Sequence, residues 1–510
     1  MRNTHYAAGL LAVAALAGCG GSDSSSGPVT DTTLARGSLV ANPPNLVPIP
    51  QADGSVSPKL EPAVFAQMLE ASKPGTTQLT GTPKCAITTY YMKYGTVGGA
   101  NEPTDATGAL MVPSGSDPAC AGPRPVVLYA HGTTVDKSYN MANLRDNAEA
   151  SFLAAMYAAQ GFIVVAPNYA GYDVSSLPYH PYLNAEQQSN DMIDALRAAR
   201  KAFPTVGAQD SGKLFITGYS QGGHVAMATQ RAMQKNYASE FKVTALAGMS
   251  GPYALALLGD ASFAGSPNAG GTVFLPLLTT SFQKSYGGVY NTPTDIYEAG
   301  YANGIETLLP GSLSYVQLFG SGKLPQTALF AADSLPGPSS PAFAAFFGPN
   351  NLVKTSYRNA YLADAAANPC NPTAAGFTCN PQNGFRKAGV KNDLRTYVPN
   401  VPTLLCGGNA DPTVFYASTQ ATQAYFLANG MPPAALTVVD VDSAPSGASD
   451  PFAAAKVGFS QSKTATINAA VAAKQDPVTA VATAYHGSLV PPFCNAAARG
   501  FFQSVLAQGL

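Results

Sequence analysis

Histidine is scarce in this chain, with five in 510 residues, so any search for a catalytic base reduces to a short elimination. Charge is scarce as well. Charged residues make up 11% of the sequence and the net charge is −1, which leaves no electrostatic footprint for nucleic acid. After the apolar run Ala7-Ala8-Gly9-Leu10-Leu11-Ala12-Val13-Ala14-Ala15 no second hydrophobic span follows. There is no internal repeat, and no cysteine pair has zinc-like spacing; neither a metal nor a cofactor is expected. What is present, 46% hydrophobic residues, is enough for a large core.

The N-terminus reads as an export signal, with one early arginine, Arg2, ahead of the apolar run, and is too short for a membrane-spanning helix. Leu16-Ala17-Gly18-Cys19 resembles a bacterial lipobox. That resemblance implies that Cys19 becomes the lipidated N-terminus, and Gly20 in place of Asp implies the outer membrane or cell surface. Residues 20–60, with Gly21-Ser22-Asp23-Ser24-Ser25-Ser26-Gly27 and several prolines, are expected to form a flexible tether, too poor in apolar residues to pack. The rest would then be soluble and held to the membrane by its lipid anchor only. With Cys19 set aside, six of the seven cysteines remain, an even number in an exported chain, which reads as three disulfides. Fifteen pairings are open. Proximity in sequence favours Cys85 with Cys120 and Cys370 with Cys379, which leaves Cys406 with Cys494, a bridge worth about 4 to 5 kcal/mol in the chain-entropy model.

Gly218-Tyr219-Ser220-Gln221-Gly222 carries the chemistry. It follows the strand-like Lys213-Leu214-Phe215-Ile216-Thr217 and leads into the helix-like Gly223-His224-Val225-Ala226-Met227. A serine between glycines on a sharp strand-to-helix turn has its hydroxyl lifted clear of the sheet, as a nucleophile elbow requires. A base must come late in the chain, after an acid. His5 lies in the export signal, His131 precedes the serine in another motif, His180 follows a predicted strand, and His224 sits on the serine's own helix as a packing residue. His486 remains, in the small-residue loop Ala484-Tyr485-His486-Gly487-Ser488 before Pro491-Pro492. For the acid, Val401-Pro402-Thr403-Leu404-Leu405-Cys406 followed by Gly407-Gly408-Asn409-Ala410-Asp411 reads as strand, glycine turn, carboxylate; Asp440 and Asp442 are the rivals. The chain order Ser220, Asp411, His486 is that of the α/β-hydrolases. Pro125 to Ala130 reads as a buried strand ending in His131-Gly132-Thr133-Thr134. The backbone N–H groups of Thr133 and Gln221 are then the candidate oxyanion hole.

Eight strand candidates, at 85–94, 106–112, 124–130, 161–167, 213–218, 243–250, 402–407 and 435–441, alternate with helical patterns at 146–160, 185–203, 221–235 and 413–429. That is an α/β fold with a mostly parallel sheet, opened by an antiparallel pair. Residues 256–395 break the alternation. They follow the sixth strand, carry Phe274-Leu275-Pro276-Leu277-Leu278 and Phe343-Ala344-Ala345-Phe346-Phe347, and divide the core into residues 61–255 and 396–510.

His131-Gly132-Thr133-Thr134, Val164-Val165-Ala166-Pro167-Asn168-Tyr169-Ala170-Gly171-Tyr172, His180-Pro181-Tyr182-Leu183 and Gly218-Tyr219-Ser220-Gln221-Gly222-Gly223-His224 together resemble the secretory lipase family, of the Candida lipase A type, and its bacterial lipoprotein esterases. The resemblance runs from about Cys85 to the C-terminus. It implies an α/β-hydrolase with a helical lid inserted before the acid, and a serine esterase or lipase in which Ser220, Asp411 and His486 are nucleophile, acid and base. Small or polymeric esters, including polyesters, are the implied substrates. An amidase or peptidase with the same triad is the alternative, and a binding protein on a hydrolase scaffold a more distant one.

Overall fold

Consecutive apolar residues in the central strands send side chains to opposite faces, so one sheet can bury two layers of helices. Val126 and Leu128 pack on one face, and Val127 and Tyr129 on the other. The computed structural model describes residues 34–50 and 54–509. The export signal, the lipobox with Cys19 and the first part of the tether lie outside the described residues.

The strands of the main sheet are β1 (Asn45–Leu46), β2 (Ala86–Val97), β3 (Pro103–Ser114), β4 (Arg124–Ala130), β5 (Ile163–Pro167), β6 (Asp210–Tyr219), β7 (Val243–Met249), β8 (Thr403–Gly407) and β9 (Leu436–Asp440). They form one nine-stranded sheet in the order β1-β2-β3-β5-β4-β6-β7-β8-β9. From β5 to β9 every pairing is parallel, while β1, β2 and β3 join antiparallel. Helices α1 (Pro62–Ser72), α2 (Ala148–Met156), α3 (Ala185–Val206) and α4 (Gln221–Asn236) belong to the first part of the core. Asn184 caps α3 by accepting from the Gln187 N–H, and Asn147 caps α2 in the same way through Ala150. This is the α/β-hydrolase architecture, with one strand more than the eight expected, the two-residue β1 at the sheet edge.

Between β7 and β8 the chain leaves the sheet through α5 (Leu255–Phe263), α6 (Gly271–Tyr286), α7 (Thr355–Ala367) and α8 (Gly384–Lys391). This excursion has a core of its own. The Phe263 ring stacks on Tyr361 with centroids 3.9 Å apart. The buried Arg358 guanidinium donates to the Phe263 carbonyl at 3.0 Å and to Ser334 Oγ at 2.7 Å, and lies 4.3 Å from the Phe330 ring centre. Helices α9 (Ala417–Ala428), α10 (Ala453–Ala472), α11 (Pro477–Ala484) and α12 (Val490–Ala507) complete the chain.

The tether expected over residues 20–60 ends earlier than its composition suggests. Gly37 N–H donates to Gly95 O at 2.8 Å, Val40 to Lys93 O at 2.9 Å, and Leu60, 1% exposed, to Ile87 O at 2.9 Å. Arg36 Nε is 2.8 Å from the buried carboxylate of Asp194. The reason is the edge of β2, whose outward N–H and C=O groups need partners that any backbone can supply, whatever its side chains. If residues 34–60 are part of the folded body, Leu60→Ala should cost about 2 to 5 kcal/mol in urea unfolding; a loss below about 0.5 kcal/mol would mark this stretch as tether after all.

Candidate active site

Ser220 follows directly on β6 and caps α4 with φ 59° and ψ −122°, a strained backbone that a non-glycine residue keeps only when its surroundings over-determine it. The surroundings do so at close range. A Cβ at Gly222 would collide with the carbonyl of Ala130, and one at Gly218 with the carbonyl of Gly222, so both flanking glycines are fixed by backbone packing. The Ser220 N–H donates to Met249 O at 2.9 Å, which fastens the turn to the end of β7.

His486 Nε2 lies 2.8 Å from Ser220 Oγ, and His486 Nδ1 lies 2.7 Å from Asp411 Oδ2. A carboxylate can only accept here, so Nδ1 carries the proton and the bare Nε2 accepts from the serine hydroxyl. The other oxygen of Asp411 accepts from the N–H groups of Thr413 and Val414 at 2.9 and 3.0 Å. Asp411 is 3% exposed, and with both oxygens engaged it is held as an oriented acceptor. The rivals sit elsewhere: Asp440 accepts from the Asn409 N–H at 3.1 Å, and Asp442 pairs with Lys463 at 2.8 Å. The small-residue loop expected around His486 is instead a π-helical turn, Tyr485–Leu489, joining α11 to α12. Prolines 491 and 492 fall in the first turn of α12, where a missing N–H is tolerated, so they mark a helix start rather than a loop end.

The turn after β4 packs on the elbow, with Gly132 against the Tyr219 carbonyl and the Ser220 Cβ. Among the described residues neither the Thr133 N–H nor the Gln221 N–H has a protein partner. Gly132 N–H donates to Glu149 Oε1 at 3.2 Å, and the Glu149 carboxylate also accepts from Tyr129 and Tyr139. Thr133 Oγ1 is 2.8 Å from Tyr182 OH, so that hydroxyl already has a partner. Gln221 donates its side-chain amide to His180 Nε2 at 2.7 Å, with His180 Nδ1–H on the Ala170 carbonyl at 2.9 Å. Burial pushes His180 down to about 3 and His224, which donates to the Asn392 carbonyl at 2.9 Å, down to about 4. His131, between the carbonyls of Gly132 and Asn168, is also lowered by burial. Glu149, His180 and Tyr219 were not singled out as site residues by sequence reasoning, although Tyr219 and His180 lie inside motifs it quoted.

A cavity of about 120 Å³ opens on Ser220 and Gln221. Its wall is apolar where the excursion between β7 and β8 closes over it, with Phe274, Leu275, Leu278 and Phe385; Leu277, from the same run, turns into the excursion's own core. Phe343 reaches the site indirectly, 6.0 Å from the ring of the lining residue Phe415.

The model of the secretory lipase family matches residues 139–260, the span holding the elbow. The ligand-bound rice cell wall degrading esterase LipA from Xanthomonas oryzae is similar over 93% of this chain and 99% of its own, at 26% identity and a TM-score of 0.68. Over residues 139–260 the chain is similar to the secretory lipases. It is a carboxylic-ester hydrolase, an esterase or lipase. A second LipA structure matches at 28% identity over 87% of this chain and 100% of its own, with a TM-score of 0.64. A Legionella pneumophila protein described as a putative hydrolase shares the fold at 18% identity, over 92% of this chain and 99% of its own, with a TM-score of 0.64. No curated protein matches. The disulfides Cys85–Cys120, Cys370–Cys379 and Cys406–Cys494 fit an extracellular protein in an oxidising compartment. Among the described residues no helix is long and apolar enough to cross a membrane.

Two outcomes follow from this arrangement. Cys406 is next to last in β8, just before the Asp411 turn, and Cys494 lies on the helix after His486, so Cys406→Ala/Cys494→Ala should lose turnover at a temperature below its circular-dichroism melt. Coincident loss would mean the bridge only stabilises the whole. The histidines set an acid limb. Their folded values lie below the ordinary 6.5, so below that pH the unfolded chain takes up protons that the folded chain refuses. Stability is therefore full above about pH 6.5 and falls as pH drops towards 4. His224→Gln should flatten that fall in urea midpoints measured from pH 7 to 4; an unchanged slope contradicts it.

Proposed function

We propose that Ser220, His486 and Asp411 act as a catalytic triad that hydrolyses carboxylic esters through an acyl-enzyme. The observation that carries this is the unbroken relay from Ser220 Oγ to His486 Nε2 at 2.8 Å and from Nδ1 to Asp411 at 2.7 Å. As Ser220 Oγ attacks the ester carbonyl carbon, its proton passes to His486 Nε2, and Asp411 holds the ring and the positive charge it gains. The carbonyl oxygen, now negative, takes the free N–H groups of Gln221 and Thr133. His486 then returns the proton to the departing alcohol, and water repeats the sequence on the acyl-serine to release the acid. Losing one oxyanion donor typically costs about 2.7 to 4 kcal/mol of barrier.

Residues 256–395 are proposed as the lid, and the apolar wall of Phe274, Leu278 and Phe385 as the site of the acyl chain or of a polyester segment. The neighbour LipA is described as rice cell wall degrading, which supports a polymeric ester as one substrate. Lipidation at Cys19 would hold the enzyme at the outer membrane or cell surface. The same triad and oxyanion donors would also act on amides, so amide hydrolysis is the alternative activity to test against esters.

Across p-nitrophenyl butyrate to octanoate, kcat/KM should rise by at most about fourfold per methylene, the equivalent of about 0.8 kcal/mol of burial, until the cavity is filled. An aminoacyl anilide should be turned over far more slowly. Decline from acetate upward would defeat the acyl-site assignment, and a preference for the anilide would make the protein an amidase. Ser220→Ala should keep the fold and lose nearly all turnover.

A further inference from the structure

The π-turn that carries His486 leaves a carbonyl without a helical partner. Within Tyr485–Leu489 the Val490 N–H reaches back five residues to Tyr485 O. His486 O would look to residue 490 at α spacing or to residue 491 at π spacing. The first N–H is already committed, and the second does not exist, because residue 491 is proline. A buried carbonyl left open in this way needs a side chain or water. It has one: Tyr219 OH donates to His486 O at 2.6 Å, and the Tyr219 phenol oxygen is also 3.4 Å from His486 Nδ1. Tyr219 is 6% exposed, its ring centre 5.1 Å from the imidazole, and burial pushes its phenol up, so the donor proton stays in place.

We propose that Tyr219 is a positioning residue for His486. It acts through the main-chain carbonyl that the π-turn and Pro491 leave open, so that the residue before the nucleophile fixes the height and rotation of the base. A matching contact runs from the base to the acid. Tyr485, the residue before His486, accepts the N–H of Ala410, the residue before Asp411, at 3.1 Å, while its own hydroxyl donates to Asp442 at 2.7 Å. Asp442 thus takes part by orienting Tyr485. Each triad member is tied to the next through the backbone as well as through the imidazole.

The proposal rests on the Ser220–His486–Asp411 reading, and the test separates the two. Tyr219→Phe should lower kcat about 10- to 100-fold, since small misplacements of reacting groups carry penalties of that order, with KM for p-nitrophenyl butyrate little changed. The low-field resonance of the His486 Nδ1 proton, followed by proton NMR, should move. In a Pro491→Ala background the helix regains an N–H for that carbonyl, so Tyr219→Phe should then cost several-fold less. Wild-type kcat and an unmoved resonance in Tyr219→Phe would overturn the proposal, as would an equal penalty in both backgrounds. His486→Ala is measured in parallel: if it keeps wild-type turnover, the triad reading itself fails, whereas if it is inactive and Tyr219→Phe is normal, only the positioning role falls.

Discussion

The strained backbone of Ser220 is the constraint from which the site is built. With φ at 59° the residue occupies a conformation that costs about 1 to 3 kcal/mol for a side chain other than glycine, and it persists because the turn is clamped from several sides. The Ala130 carbonyl sits where a side chain on Gly222 would be, and Met249 holds the Ser220 N–H. These contacts come from the carboxyl ends of β4 and β7, the strands on either side of β6. Parallel pairing therefore does more than fill the core: it brings the turn after β4, Ser220 and the turn after β8 that carries Asp411 to one edge of the sheet, where loops can meet.

Around that edge the protein buries many polar groups and binds several of them into networks. Glu149 gathers the Gly132 N–H and two tyrosine hydroxyls, and neutral His180 accepts from the Gln221 amide. Asp411 spends one oxygen on two backbone N–H groups. Such networks fix geometry strongly when every member is satisfied, because the alternative is an unpaired group in a poorly polar interior. The cost of burial falls on charge, which is why His180 and His224 stay neutral far below their ordinary range. The apolar side of the site comes from the excursion between β7 and β8, whose core is tied together by Arg358 and by the Arg386–Asp260 pair at 2.8 Å.

Much of this was legible in the sequence because it is local or periodic. The eight main strands follow from apolar runs bounded by turn residues, and the elbow from two glycines flanking a serine between a strand and a helix. Scarcity of histidine singled out His486 by elimination, and the structure places it 2.8 Å from Ser220 Oγ. What escaped was set by partners distant in sequence. Residues 34–60 look like linker by composition, yet their backbone answers the open edge of β2. His486 looked like a loop residue because Gly487 and the two prolines are helix-breaking signals, and nothing local reveals that a π-turn with a tyrosine donor 267 residues away satisfies the carbonyl they orphan. The helices of 256–395 lack a short motif, and only their packing divides Leu277, in the core, from Leu278, at the cavity.

The most direct measurement is peptide mass spectrometry of the native protein after reaction with a fluorophosphonate. An activated Ser220 predicts one phosphonyl group per chain, on the peptide containing Gly218-Tyr219-Ser220-Gln221-Gly222, and loss of that adduct in His486→Ala. A stoichiometric adduct on another residue, or labelling of Ser220 that persists at full rate without His486, would contradict the account.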